Sequence, residues 1–199
     1  WIHVSTDYVF NGRKTTPYVE SDQAAPVNVY GMTKWVGEYY AMTSASPAAV
    51  VRTSWLFGKY QPNNFVNVIM ERMKNEAVLS VLDDQVDAPT SVKDLSLALA
   101  TIAGHLLDLS KKNPGKAWNE VFHVCNGGSA TRHDMTLKIR DWMGLARVRV
   151  EKTARELIRN RVAIRPAYSV MSNEKFQKFF GMKLSSWQES LKEYVTCVS

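Results

Sequence analysis

The residues best suited to chemistry in this sequence are a tyrosine and a lysine four positions apart, Tyr30 and Lys34. On a helix such residues share one face, with their Cβ atoms about 5–6 Å apart. A lysine ammonium at that distance favours the phenolate form of tyrosine, so the phenol can give and take a proton. The pair could therefore protonate the oxygen of a ketone that hydride is reducing. An exposed lysine beside a packed tyrosine would show the same spacing.

Hydroxyl and carboxyl groups follow two apolar runs. The first run, residues 1–4, leads directly into Ser5, Thr6 and Asp7, and the second, residues 48–52, leads into Thr-Ser-Trp at 53–55. In an open parallel sheet, ligands bind beyond the carboxyl ends of the strands. We therefore expect the two strand ends to be walls of one pocket, in which Thr6 holds the oxygen that the tyrosine protonates.

Strands and helices alternate along the chain, which predicts an α/β fold with a parallel sheet. Short apolar runs predict strands at 1–5, 48–57, 78–82, 120–126 and 147–151. Residues with helical spacing predict helices at 29–43, 65–76, 92–110, about 132–144, 173–181 and 185–195. Asn28 stands at the N-cap of the first helix, and Asn63 or Asn64 at that of the second. Residues 11–28 are predicted to form a long loop.

Composition excludes several classes of protein. A chain of 199 residues, 45% of them hydrophobic, can form one good-sized domain with or without a small lobe. Its apolar runs fall short of the about 20 residues that cross a bilayer. Cys125 and Cys197 lie far apart, and the four histidines lack the spacing of a helical metal site. We expect a cytoplasmic protein without a membrane partner, a disulfide or a bound metal.

The net charge of +6 is spread along the chain. The densest basic stretch, residues 155–165, mixes arginine with apolar residues at helical spacing. It is either a solvated helix face or a segment that binds an anion. The charge suits an anionic partner, either nucleic acid or a phosphorylated small molecule. Because the basic residues are spread rather than clustered, we do not expect nucleic acid as a partner.

Several motifs resemble the extended short-chain dehydrogenase/reductase superfamily, and within it the dTDP-4-dehydrorhamnose reductases. They are STDYVFNG (5–12), NVYGMTKWVGE (28–38), VVRTSWLFG (50–58), NNF (63–65), LSVLDDQVDAPTS (79–91), FHVCNGG (122–128) and IRPAYSVMSNEKFQ (164–177). The resemblance covers nearly the whole chain. It implies part of a doubly wound, Rossmann-like parallel sheet and a smaller C-terminal α/β lobe that binds substrate.

Site residues follow from the resemblance position by position. It makes Thr6, Tyr30 and Lys34 the catalytic hydroxyl, the proton donor and the activating lysine. The tyrosine and lysine also bind the cofactor, NADPH or NADH, and so do Ser5 and Thr53. The implied substrate-binding residues are Asp7, Trp55, Asn64 and Arg165. Plain core packing is the other interpretation of the tryptophan.

The implied reaction is reduction of dTDP-4-dehydro-L-rhamnose to dTDP-L-rhamnose, with the dTDP-sugar as the partner molecule. Related dehydratases carry a glutamate after the aspartate of this strand end, and here that position is Tyr8. The tyrosine favours simple carbonyl reduction over dehydration or epimerisation. The alternative is a non-catalytic regulatory relative, such as the beta subunit of methionine adenosyltransferase, which resembles the same reductases.

The resemblance also predicts how the chain is divided. Residues 1–60 match the C-terminal part of the Rossmann-like domain, and residues 61–199 match mainly the substrate-binding lobe, with some segments returning to the main sheet. No glycine-rich G-x-x-G-x-x-G turn occurs in the sequence. We therefore expect the dinucleotide-binding half to be absent, the cofactor to bind weakly to this chain alone, and a homodimer or another subunit to be a possible partner.

Overall fold

A computed structural model describes residues 1–44, 46–60, 62–153 and 163–198. These ranges contain nine strands and six helices. The strands are β1 (Ile2–Thr6), β2 (Ala48–Thr53), β3 (Leu56–Phe57), β4 (Val78–Leu82), β5 (Val86–Asp87), β6 (Thr90–Ser91), β7 (Asn119–His123), β8 (Ala130–Thr131) and β9 (Arg149–Thr153). The helices are α1 (Val29–Met42), α2 (Phe65–Asn75), α3 (Val92–Lys112), α4 (Arg132–Trp142), α5 (Glu174–Phe180) and α6 (Trp187–Val198).

The main sheet consists of three parallel strands in the order β1-β2-β7. All six residues of β2 are buried, as its apolar, β-branched sequence requires of a central strand. Ala49 and Val51 point to one face of the sheet, where they pack with α3 and α5. Arg52 points to the other face and contacts α1. Helices thus cover both faces, which confirms the predicted α/β fold with a parallel sheet.

A second core lies in the following part of the chain. Helices α2, α4 and α6 pack with the parallel pair β4-β9, and Met73, Leu79, Ile139 and Leu191 are fully buried among them. Strand β7 also follows residue 61, yet it is part of the main sheet, and helices α3 and α5 pack against that sheet. The domain boundary at residue 60 stays a prediction.

The single strand predicted at residues 48–57 is wrong. Strand β2 ends at Thr53, Ser54 donates from its Oγ to the Ala88 carbonyl oxygen (2.7 Å), and Trp55 has a φ of 37°. A positive φ is rare for a bulky residue and bends the chain toward the second core before β3 pairs with β6. The bend escapes a periodicity argument because the residues stay apolar across it.

Two further predictions concern the basic regions of the chain. The strand predicted at residues 147–151 is shifted, because β9 pairs with β4 over Arg149–Thr153. Of the basic stretch at 155–165, residues 155–162 lie outside the described part of the chain, so both interpretations of it stay predictions. No described helix combines the length and the apolar character needed to cross a membrane.

Candidate active site

The end of β1 carries the hydroxyl and the carboxyl group expected at a strand end. Thr6 lies opposite Thr53 in the neighbouring strand. The chain then enters one 3-10 turn, residues 7–9, which Thr6 caps by accepting from the Tyr8 backbone N–H at its Oγ1 (3.3 Å). The Thr6 hydroxyl itself donates to Asp7 Oδ1 (3.0 Å). These bonds fix both side chains at the end of the strand.

Helix α1 brings Tyr30 to this strand end. The Asn28 side chain caps the helix by accepting from the Gly31 backbone N–H (2.8 Å). A Cβ at Gly31 would come within 2.1 Å of the Tyr8 carbonyl oxygen, so only glycine lets the helix touch the turn that follows β1. The rings of Tyr30 and Tyr8 meet edge to face, with centroids 5.9 Å apart.

Lys34 lies one turn after Tyr30, beside the edge of β1. Its Nζ donates to the Val4 carbonyl oxygen (2.8 Å), and its own carbonyl oxygen lies 3.3 Å from His3 Nε2. Tyr30 is 53% exposed and Lys34 is partly exposed. A small molecule at this edge can therefore reach both the phenol and the ammonium group.

A buried ion pair holds α1 on the sheet. Glu38, four residues after Lys34, accepts from Arg52 Nε (2.9 Å) and Nη2 (2.7 Å) and from Ser5 Oγ (2.5 Å). Both carboxylate oxygens are thus paired, as a buried charge requires. Arg52 Nη1 lies 3.4 Å from His123 Nε2, and burial together with the arginine charge lowers the pKa of His123 to about 3. The imidazole is neutral at physiological pH.

Other buried oxygens at the strand ends have no hydrogen-bond partner in the described part of the chain. They include Thr53 Oγ1, Asp7 Oδ2, Asp87 Oδ2 and Gln85 Oε1. Asp87 comes from β5, and its carboxyl group contacts that of Asp7. Buried polar groups are nearly always paired, so these oxygens mark a functional position better than Glu38 does. We call the Glu38 carboxylate saturated because both of its oxygens accept hydrogen bonds.

Trp55 lines a cleft beside the second core, and Asn64 directly precedes Phe65 of the same cleft. The Arg132 guanidinium stacks between the rings of Trp55 (4.4 Å) and Phe65 (4.5 Å), and all three line a cavity of about 280 Å³. Asn64 is buried and caps α2 by accepting from the Asn67 backbone N–H (3.1 Å). The positive φ of Trp55 is a backbone strain of the kind found at binding sites.

Arg165 lies near the start of α1. Asn28 Nδ2 donates to the Ile164 carbonyl oxygen (2.8 Å), which ties this segment to the helix N-terminus. Burial and the charge of Asp7 raise the pKa of Tyr8, and the Arg165 charge opposes them in part. Arg165 is therefore close to the turn after β1. Its contact with substrate stays a prediction, as do the roles of the other predicted site residues.

The site residues suit one end of a nicotinamide cofactor. The phenol of Tyr30 and the ammonium of Lys34 are accessible hydrogen-bonding groups of the kind that bind ribose hydroxyls, and Thr53 adds an unpaired hydroxyl at the next strand end. A glycine-rich turn for the pyrophosphate does not occur in the 199 residues. Within the described ranges, no three His, Cys, Asp or Glu side chains come together as metal ligands.

Sequence reasoning missed four residues that the structure brings into or beside the site: Gly31, Glu38, Asp87 and Arg132. Glu38 could have been found, because it follows Lys34 by four positions and shares its helix face. Asp87 and Arg132 gave no local signal, since their partners Asp7 and Trp55 are distant in sequence.

A parallel sheet covered by helices on both faces, with the Tyr30–Lys34 helix against a strand that ends in Thr6, defines the class of the short-chain dehydrogenases/reductases. A family model described as the RmlD substrate binding domain matches residues 1–199. The chain belongs to this family.

Proteins similar to this chain carry related names. The spore coat polysaccharide biosynthesis protein SpsK of Bacillus subtilis is 32% identical over 195 residues, and a dTDP-4-dehydrorhamnose reductase of Sinorhizobium fredii is 34% identical over 207 residues. Each alignment covers 98% of this chain, but only 63% and 64% of the respective relative. A crystal structure of dTDP-4-dehydrorhamnose reductase from Bacillus anthracis, in complex with NADP, superposes with a TM-score of 0.86 at 30% identity, covering 99% of this chain and 65% of that one. The chain therefore spans less than two thirds of these proteins.

Proposed function

We propose that the chain is the catalytic and substrate-binding part of an NAD(P)H-dependent sugar-nucleotide 4-ketoreductase. The reaction would be reduction of dTDP-4-dehydro-L-rhamnose to dTDP-L-rhamnose in dTDP-rhamnose biosynthesis. The observation that carries the proposal is the contact of α1 with the end of β1, which sets Tyr30 against the turn after Thr6 and Lys34 one turn further on. The names of the reductases similar to this chain support the choice of substrate.

The proposed mechanism divides the work among three side chains. NADPH or NADH, when bound, would supply the hydride. Tyr30 would donate a proton to the C4 oxygen of the sugar, and Thr6 would hold the same oxygen. Lys34 would stabilise the phenolate that remains on the tyrosine. Positioned general acids of this kind contribute about 10²- to 10⁴-fold to the rate.

The remaining predicted residues divide between cofactor and substrate. Thr53, with its unpaired hydroxyl, and Ser5, whose hydroxyl is bonded to Glu38, would line the cofactor side. The cleft at Trp55 would take part of the sugar nucleotide, and Arg132 within it offers a cation for a phosphate group. Asp7, Asn64 and Arg165 complete the proposed substrate-binding set.

The test is the Tyr30→Phe variant of the full-length protein, assayed with NADPH and with NADH. Loss of the acidic hydroxyl should lower kcat by about 10²- to 10⁴-fold with little change in KM. Tyr39→Phe is the matched control, because Tyr39 lies on the same helix, is 65% exposed and should keep full activity. Turnover of Tyr30→Phe within about tenfold of the parent would show that the proton donor is wrongly assigned.

The same assay distinguishes the regulatory alternative. A non-catalytic relative would consume neither NADPH nor NADH with the sugar nucleotide and would copurify with a synthetase. A second copy or another subunit is proposed as a partner because α1 exposes apolar side chains. They include Val29 (79% exposed), Tyr39 and Tyr40 (65% each) and Val36 (44%).

A further inference from the structure

Two aspartates from distant parts of the sequence contact each other beside the proposed catalytic threonine, Thr6. Asp7 follows β1 and Asp87 ends β5, and their side chains are 3% and 0% exposed. Asp7 Oδ1 accepts from Thr6 Oγ1 (3.0 Å), and Asp87 Oδ1 accepts from the Ala88 backbone N–H (2.7 Å). The carboxyl groups contact each other, and the Oδ2 atom of each has no partner in the described part of the chain.

Two ionised carboxylates cannot stay in contact in a buried site without a large energetic cost. An ionised carboxylate only accepts hydrogen bonds, so two of them repel each other, whereas one shared proton turns the contact into a hydrogen bond. A proton between the two carboxyl groups would satisfy both unpaired Oδ2 atoms at once. Aspartate pairs in contact can carry one proton and one negative charge between them.

The surroundings support the same charge state. Burial raises the pKa of Asp7, and burial together with the charge of Asp7 raises the pKa of Asp87 well above its ordinary value. Burial and these charges also raise the pKa of Tyr8 and of Cys125, so both neighbours are neutral at physiological pH. The other groups beside the pair are the hydroxyls of Ser54 and Ser169. The Gln85 amide and the Arg165 guanidinium act on the neighbouring Tyr8.

We propose that Asp7 and Asp87 are a positioning pair that holds one shared proton and thereby leaves the Thr6 hydrogen free to turn toward the substrate oxygen. The Thr6 hydroxyl has a single hydrogen, which Asp7 Oδ1 and the substrate oxygen compete for. A fully ionised carboxylate is a strong acceptor and would retain that hydrogen. A carboxyl group that shares its charge through a proton is a weaker acceptor. It therefore releases the hydrogen of the Thr6 hydroxyl. The effect on Thr6 rests on the proposed reductase function, but the shared proton does not.

The shared proton can be measured directly by infrared spectroscopy of the full-length protein. We expect a carboxylic acid C=O band at pH 8 that shifts in deuterium oxide and weakens as the pH is raised. The band should disappear in Asp87→Asn and in Asp7→Asn. Asp83→Asn is the control: the Asp83 carboxylate is ion-paired with Lys152 at 2.6 Å, and its replacement should leave the band unchanged.

Two infrared results would overturn the inference. One is the lack of a carboxylic acid band in the wild-type protein at pH 8, which needs no variant and so does not depend on how a variant folds. The other is a band that persists in both Asp87→Asn and Asp7→Asn. Near-ultraviolet circular dichroism would verify that the two variants keep the native tertiary structure.

The effect on Thr6 is tested by kinetics. In Asp87→Asn the charge is confined to Asp7, so kcat should fall about three- to tenfold with KM nearly unchanged. In a Thr6→Val background, the same Asp87→Asn change should cause no further loss, because the hydroxyl on which it acts is gone. Equal losses in both backgrounds would contradict the positioning role. That result differs from failure of the reductase assignment, which an active Tyr30→Phe variant would reveal.

Discussion

Two buried polar groups, the Glu38–Arg52 pair and the Asp7–Asp87 pair, lie close to the same strand ends and differ in how they are satisfied. Both oxygens of the Glu38 carboxylate accept hydrogen bonds, and the opposite charge of Arg52 balances it. Asp7 and Asp87 are both acidic groups, and each has an oxygen without a partner in the described residues. The first pair joins α1 to the sheet, whereas the second accepts a hydrogen bond from the hydroxyl of Thr6.

The difference shows that burial alone does not reveal what a polar residue does. A saturated pair is held in one geometry and one charge state, so it is suited to fixing Tyr30 and Lys34 in place. An unsaturated pair has a protonation state that depends on its surroundings, so it can influence a neighbouring reaction. Three substitutions should change stability in ways that separate these two roles.

The largest change is expected for Glu38→Ala, which breaks the saturated pair. Arg52 would be left buried and uncompensated, so the free energy of unfolding should fall by about 3–5 kcal/mol in urea denaturation. Glu71→Ala is the control, because the Glu71–Lys74 pair is exposed and 3.9 Å apart; its effect should stay within about 0.5 kcal/mol. A loss at Glu38 as small as that of the control would mean that the pair does not anchor α1.

A smaller loss is expected for Gly31→Ala, at the contact between α1 and the turn after β1. The new Cβ would meet the backbone oxygen of Tyr8 at 2.1 Å, so the helix must move and stability should fall by about 1–3 kcal/mol. The activity of the full-length protein should fall as well, because Tyr30 moves with the helix.

Gly104→Ala is the matched control for that change. Gly104 lies inside helix α3, and its added Cβ would meet nothing within 4 Å, so stability should rise by up to about 1 kcal/mol. If Gly31→Ala were equally stabilising, the tight approach of α1 to Tyr8 would be disproved.

The smallest change in the free energy of unfolding is expected for Asp87→Asn, and it should be a gain rather than a loss. The pKa of Asp87 is raised in the folded protein, so its contribution to stability is complete below the unfolded value of 3.8 and is lost as the pH rises through the folded value. Removing this ionisable group should make the variant more stable than the parent at alkaline pH, by about 1 kcal/mol or more. Thermal unfolding of the variant and the parent as the pH is raised would measure the difference.

Asp83→Asn is the control for the direction of this change in stability. Burial raises the pKa of Asp83, but its hydrogen bonds with Lys152 and Thr131 outweigh burial and keep the pKa low. Its contribution is therefore present above the unfolded value and lost only as the pH falls, so its removal should not stabilise the protein at high pH. An Asp87→Asn variant that is less stable than the parent at alkaline pH would contradict the like-charge interpretation.

The sequence allowed prediction of most elements and of the residues around the strand end. Helix α1 begins after Asn28 as its capping pattern predicts, and α2 begins after Asn64 for the same reason. The bend at Trp55 was not predicted, because hydrogen bonds to residues 88 and 90 from another segment fix it. The partners of Asp7 and Trp55 were missed because nothing local distinguishes Asp87 or Arg132 from ordinary surface charges.

The sequence by itself determined the chemical groups and their local spacing: a tyrosine and a lysine on one helix face, and hydroxyls where apolar strands end. These features follow from the periods of helix and strand, which depend only on neighbours along the chain. The tertiary structure decided which buried charges are saturated and which are not. That outcome depends on contacts between distant segments, such as Ser5 with Glu38 and Arg52, or Asp7 with Asp87, which no local period encodes.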